Sequence, residues 1–234
     1  MNCGIVASNH PGATRHPSLS KEGKIHNSNR MAIDSTEEIM SINKAKKIVA
    51  EIIYVNGWLV SFWRNLSGWA PDTAAELMSK SRLDDQVSLS NTLIIWLESV
   101  SENQARGRLI LAWVNLCALI EGTLKLFLCV YYEDYRVDFN VYRDQKNNLK
   151  APDTLTLEKI RVFFNKKNLW SKEWDCFVLN VQQKRNAIHA IEDRDIGTFD
   201  EFYQCTCVYL KMIREFNLYL PYPDDISLPV ITSF

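Results

Sequence analysis

The sequence predicts an all-α protein: an antiparallel helical bundle with extra helices on its N-terminal side. Three observations predict it. Apolar residues recur at helical spacing over several long stretches. From Asp34 onward only Pro71 and Pro152 interrupt the chain before Pro221, which leaves room for long helices. No stretch of useful length alternates apolar and polar residues as a half-buried strand does, and no internal repeat is present. With 234 residues, 47% of them hydrophobic, the chain is long enough to bury one sizeable core.

Residues 1–33 are rich in Ser, Asn, Gly, Pro and His and contain no Phe, Trp or Tyr, and they read as a disordered tail. His10, His16 and His26 have no regular spacing, so a metal site there is weaker than the tail reading. Met31, just before the first capped stretch, also reads as an alternative start, with the preceding residues a leader. Residues 34–83 form an N-terminal helical segment. Ser35 and Glu38 make a capping box, the serine accepting from backbone donors while the glutamate reaches back. Ile39, Ile42, Val49, Ile52 and Ile53 continue it at helical spacing to about Leu66, and Ser67–Pro71 breaks it. A second helical region follows Asp84 and Asp85, with Leu89, Leu93, Trp96, Leu97 and Val100 on one face. The third, about Gln104–Asp134, is apolar and long enough to span a bilayer. Asn115, Glu121 and Lys125 in its middle would be costly in lipid, so it reads as a buried central helix, not an anchor. A polar connection covers about 136–153. A short helix spans Leu155–Lys167, and another runs from an N-cap at Ser171 to about Asp193. Thr198 and Glu201 form a capping box that opens the last helix, ended by Pro221 and Pro223. Residues 223–234 are left as a C-terminal tail.

The formal net charge of −1 excludes a broadly basic nucleic-acid binder, so any nucleic-acid contact requires a local basic site. The six cysteines lack ligand spacing and read as reduced, mostly buried thiols suited to the cytoplasm. No signal peptide is visible. The P-loop, the dinucleotide glycine fingerprint, zinc spacing and the nucleophile elbow are all missing, so no metal or cofactor is expected.

The chemistry concentrates on the helix 172–193. At about 100° per residue, Trp174, Phe177, Val178, Val181 and Ile188 form a core stripe. Arg185, His189, Gln182 and Asn186 fall in an adjacent arc, with Asp175 and Asp193 at its ends. An imidazole titrates near ~6.5 when unperturbed and can exchange a proton near neutral pH. A guanidinium's planar fork matches a phosphate. Together they are the minimum for metal-free RNA cleavage: His189 moves the proton, Arg185 stabilises charge on the phosphoryl oxygens, and Asn186 orients either group. The alternative is structural, with Arg185 and His189 satisfied by Asp175, Asp193 or backbone carbonyls.

Gln183-Lys184-Arg185-Asn186-Ala187-Ile188-His189, followed by Gly197 and Phe199–Phe202, resembles the signature helix of the HEPN superfamily. Glu121 and Lys125 are similar to the acidic–basic pair on an earlier helix of that family, and they read equally as an ordinary i,i+4 ion pair. The resemblance covers about residues 84–222. It implies a HEPN-like bundle, a homodimer with two Arg/His helices facing one cleft, and RNA cleavage in toxin or antiviral-defence systems. Catalysis falls to Arg185, His189 and Asn186. Gln182, Lys184, Glu121 and Lys125 support it or touch RNA, and an antitoxin or defence partner is implied. Only three residues separate Arg185 from His189, fewer than is usual in the family, and Ile191 stands where some members carry a modifiable tyrosine. The acidic body favours a single-stranded or looped RNA over a duplex.

Two other readings stay open. One is a non-catalytic HEPN-like module that binds RNA, a nucleotide or a protein. The other is a helical interaction protein using a patch of Trp58, Trp63 and Trp69.

Overall fold

The computed structural model describes the backbone of residues 26–64, 72–99, 101–189 and 193–224, with 226, 228 and 229; side chains are described from residue 42 onward. Among these residues lie eight α-helices and no β-strand. In chain order they are α1 (His26–Arg64), α2 (Asp72–Lys80), α3 (Leu83–Thr92), α4 (Glu102–Val130), α5 (Tyr132–Val137), α6 (Leu157–Lys167), α7 (Lys172–Arg185) and α8 (Phe199–Leu218). The chain divides into Met1–Lys44 and Ala45–Phe234. The described part of the first unit is helical backbone, the opening of α1. The second unit is the bundle, an all-α fold as predicted.

Helix α4 is its axis. Leu109, Ala112, Trp113, Leu116, Leu119, Ile120 and Leu124 are buried, because apolar side chains on this helix point in nearly every direction and need neighbours on several sides. Its length and composition would allow a bilayer span, yet 56% of its most apolar window is packed inside the protein. Asn115 is satisfied there, donating to the Thr92 hydroxyl at 2.9 Å and the Leu89 carbonyl at 3.1 Å.

The side-chain pairings give the helix directions. Trp113 meets Phe202, Thr123 meets Tyr209 and Phe127 meets Phe216, so α4 and α8 run parallel. Trp174 pairs with Glu215 and Lys184 with Glu201, so α7 is antiparallel to α8. Gln86 bonds the Leu119 carbonyl, while Asn115 bonds that of Leu89, which makes α3 antiparallel to α4.

A buried polar knot ties four helices at Tyr209, which is 0% exposed. Its hydroxyl lies 3.1 Å from Thr123 Oγ1, 3.2 Å from Gln86 Nε2 and 3.3 Å from Asn56 Nδ2. Burial pushes the phenol up to about 12, so it remains a neutral donor and acceptor. Tyr209→Phe leaves these groups short of a partner. It is expected to lower the unfolding free energy by about 1–2 kcal/mol, read as a lower urea midpoint at unchanged slope. An unchanged midpoint would show that the hydroxyl contributes nothing net.

Several boundaries differ from the sequence expectations. Helix α1 is already under way at His26, so Ser35 lies inside it and not at its start; the Ser35 and Glu38 side chains, and residues 1–25 of the expected tail, lie outside the described residues. Helix α2 was not expected, although Ala74 and Met78 at i,i+4 bury one face of it. The expected Gln104–Asp134 helix breaks at Tyr131, whose ψ of 35° leaves the helical region. Trp63 is 1% exposed and donates to the Tyr222 hydroxyl at 3.1 Å, while Trp58 stacks on Phe62 with centroids 5.5 Å apart. Trp63 is thus a core residue and Trp58 is partly buried against the core; Trp69 lies outside the described residues.

Candidate functional site

Helix α7 ends at Arg185, and Asn186–His189 continues as a single turn of 3-10 helix. The buried positions explain the change. Val178, Val181, Lys184 and Ala187 are the inward residues, a spacing of three that suits the tighter 3-10 winding better than the α-helix. Ile188, expected in the core stripe, is instead 44% exposed, and Ala187 takes its place at 5%. Four steps at roughly 120° each rotate His189 well away from Arg185, where an α-helix would have kept them within about 40°. The expectation of one shared helical face is therefore corrected. Arg185 and His189 are neighbours across a turn, with Arg185 half-buried against α4 and His189 exposed.

The Arg185 guanidinium lies beside the Cys117 thiol of α4. Burial pushes that thiol up to about 11, and the guanidinium favours the thiolate without reversing this. At neutral pH Arg185 therefore faces an uncharged sulfur. Neither carboxylate considered from the sequence serves it. Asp175 accepts from Arg161 and Asn165, both at 2.7 Å, at the far end of α7, and Asp193 lies 3.9 Å from Arg106. Among the described residues no carboxylate pairs with Arg185. Its Nε and the Gln182 Oε1 one turn earlier are both buried without a hydrogen-bond partner.

Asn186 is half-buried at the junction, its backbone N–H closing the last α-helical bond to the Gln182 carbonyl. Glu121 and Lys125 form an ion pair at 2.8 Å one turn along α4 from Cys117. Lys184, placed from the sequence among the residues that support the site or touch RNA, is only 7% exposed. Its ammonium donates to Glu201 at 2.9 Å, lies 3.7 Å from Asp195 and sits 5.5 Å from the Trp113 ring centroid. Three consecutive side chains on α7 thus part company: Gln183 faces solvent, Lys184 the interior and Arg185 the Cys117 side of α4.

A loop locks this arrangement. The Trp113 ring N–H donates to the Ile196 carbonyl at 2.8 Å, and the Gly197 N–H to Asp195 Oδ1 at 2.8 Å. That bond, with the nearby Lys184 charge, holds the Asp195 carboxyl below the usual carboxylate range. Gly197 has φ +64°, and a Cβ there would overlap the Glu201 carboxylate and the Lys184 ammonium. Gly197→Ala is expected to cost about 1–2 kcal/mol from the left-handed backbone alone. Thermal unfolding would measure it, and an unshifted midpoint would show that the loop relaxes freely. Thr198 then accepts from the Glu201 N–H at 3.2 Å, the cap expected for α8.

No metal-binding cluster of His, Cys, Asp or Glu is present among the described residues. Ile191 lies outside them. Sequence reasoning missed Cys117 as the floor beneath Arg185 and Arg106 beside Asp193, since both belong to α4 and only packing brings them near. Comparison with protein-family models, curated proteins and solved structures found no match.

Proposed function

We propose that the chain is a HEPN-type, metal-independent endoribonuclease. The observation that carries the reading is the half-buried Arg185 guanidinium, with no carboxylate partner among the described residues, one turn from the exposed His189. A half-buried cation with no carboxylate partner among the described residues has a claim on an incoming anion, and a phosphodiester is the anion its fork fits. In this reading Arg185 binds the phosphoryl oxygens. His189 takes the proton from a ribose 2′-hydroxyl or protonates the leaving oxygen, and Asn186 orients one of the two. RNA would enter as a loop or single strand, because the chain has no basic stripe for a duplex.

The dimer belongs to the same proposal. Gly107, Leu111, Val114 and Ala118 follow one another at i,i+4 and i,i+3 along α4, next to Cys117 on the helix surface. Leu111 is 49% exposed, and Ile188 beside the site is 44% exposed. An apolar strip on α4 beside Cys117, which Arg185 adjoins, suits a second copy that would bring its own Arg185 and His189 to a shared cleft. A place in a toxin or defence system, in the reducing cytoplasm, goes with this reading.

Purified protein incubated with total RNA in excess chelator should yield discrete fragments, with light scattering reporting a dimer. Intact RNA from a folded dimer would overturn the proposal. The 3-10 turn favours one second reading, an RNA-binding module that does not cut, because it rotates His189 away from the guanidinium.

A further inference from the structure

A second recess, of about 340 Å³, lies between α1, α2, α3 and α4, away from the Arg185 crevice. We propose that it binds a medium-chain organic anion carrying a hydrogen-bond donor at its buried end, an ω-hydroxycarboxylate being the simplest case. This site does not depend on the nuclease reading.

Its volume falls in the range of small-molecule sites, roughly 300–1,000 Å³. The walls are aliphatic: Leu59, Val60, Leu77, Leu83 and Leu126 line it. No aromatic ring does so among the described residues, so a nucleobase would find no stacking surface, whereas a hydrocarbon chain is well matched.

The two ends of the recess differ in chemistry. At the buried end the amide nitrogens are already committed. Gln86 Nε2 donates to the Leu119 carbonyl at 2.9 Å, and Asn56 Nδ2 to the Ser90 hydroxyl at 2.8 Å. Their carbonyl oxygens remain as acceptors. Gln86 Oε1 lies over Gly122, where the missing Cβ leaves it room. Lys80, Arg82 and Lys125 also line the recess, the first two exposed and so at its outer end, with one carboxylate, Asp153. Lys80 and Lys125 are shared with Glu76 and Glu121. Arg82 is exposed and has no carboxylate partner among the described residues. Acceptors inside, aliphatic walls and an uncommitted guanidinium outside define a ligand with a donor, a saturated body and an anionic head.

The test is calorimetric titration of the full chain with 8-hydroxyoctanoate, together with ¹³C-methyl spectra. Binding is expected, with shifts of the Leu59, Leu77 and Leu126 methyls. Octanoate, without the donor, and 1,8-octanediol, without the charge, should each bind about tenfold more weakly, the scale of one lost hydrogen bond or ion contact. Arg82→Glu, a surface change, should weaken 8-hydroxyoctanoate by about tenfold or more while leaving the melting temperature in place. Failure to bind overturns the proposal. So do methyl shifts confined to other residues, equal affinity for the diol, or preference for adenosine monophosphate.

Discussion

Arg185→Ala is expected to reduce RNA cleavage by about 10²–10³-fold, the usual loss when one donor to a developing phosphoryl or oxyanion charge is removed. The physical argument is one of charge. The guanidinium rests against a neutral thiol, pushed up to about 11, and has no carboxylate partner among the described residues. Its field is therefore available to a substrate instead of being spent internally. Arg185→Lys should recover little, because an ammonium keeps the charge and loses the planar fork. His189→Ala should cost about 10²–10⁴-fold in rate with RNA affinity nearly unchanged, as removal of a proton-transfer group does. Single-turnover cleavage and filter binding, run side by side, separate these effects. If Arg185→Ala weakens binding while no variant alters any rate, the module binds RNA without cutting it. Neither variant should unfold the protein, since His189 is exposed and Arg185 only half-buried.

Trp113→Ala should be the most damaging single change to stability, at about 3–5 kcal/mol, the range for truncating a large buried ring. Trp113 is 0% exposed and packs edge-on against Phe202 with centroids 5.3 Å apart. The substitution also releases the Ile196 carbonyl and uncovers the Lys184 ammonium, which then sits near a void. Denaturant unfolding with a matched slope would read it. A loss under about 1 kcal/mol would mean that the core collapses into the space, at the tolerant end of such substitutions. Because the same ring anchors the Ile196–Gly197 loop, a destabilised variant should also lose whatever activity Arg185 and His189 support.

The sequence carried the architecture well where burial dominates. The apolar run of α4, the Thr198 box before α8 and the polar stretch around Asp144 are each written in residue type. Asp144 Oδ1 accepts from the Lys146 and Asn148 N–H groups at 2.8 Å, which makes that stretch a turn. What was not legible depends on contacts between distant residues. Helix α2 is short, and only its Ala74 and Met78 face marks it. The end of α7 was misplaced because α and 3-10 windings use the same residue types. Their difference is set by Lys184 reaching Glu201 and by Ala187 packing inward, neither of which is local. That one turn decides the relation of Arg185 to His189, so the candidate site was less readable than the fold. That Arg185 meets the Cys117 thiol and, among the described residues, no carboxylate was equally hidden, since only the packing of α7 on α4 decides it.

The parallel pairing of α4 with α8 bears on how the chain is made. During synthesis α4 leaves the ribosome long before the helix that covers it, because α5, α6 and α7 all come between. Asn56 waits for Tyr209, 153 positions downstream, and Trp113 for Ile196, 83 positions on. Closing loops of that length is slow compared with forming the helices themselves. The nascent chain therefore carries α4 with one apolar face uncovered until its last helix arrives, a natural target for chaperones, and release short of α8 would leave that face free to aggregate.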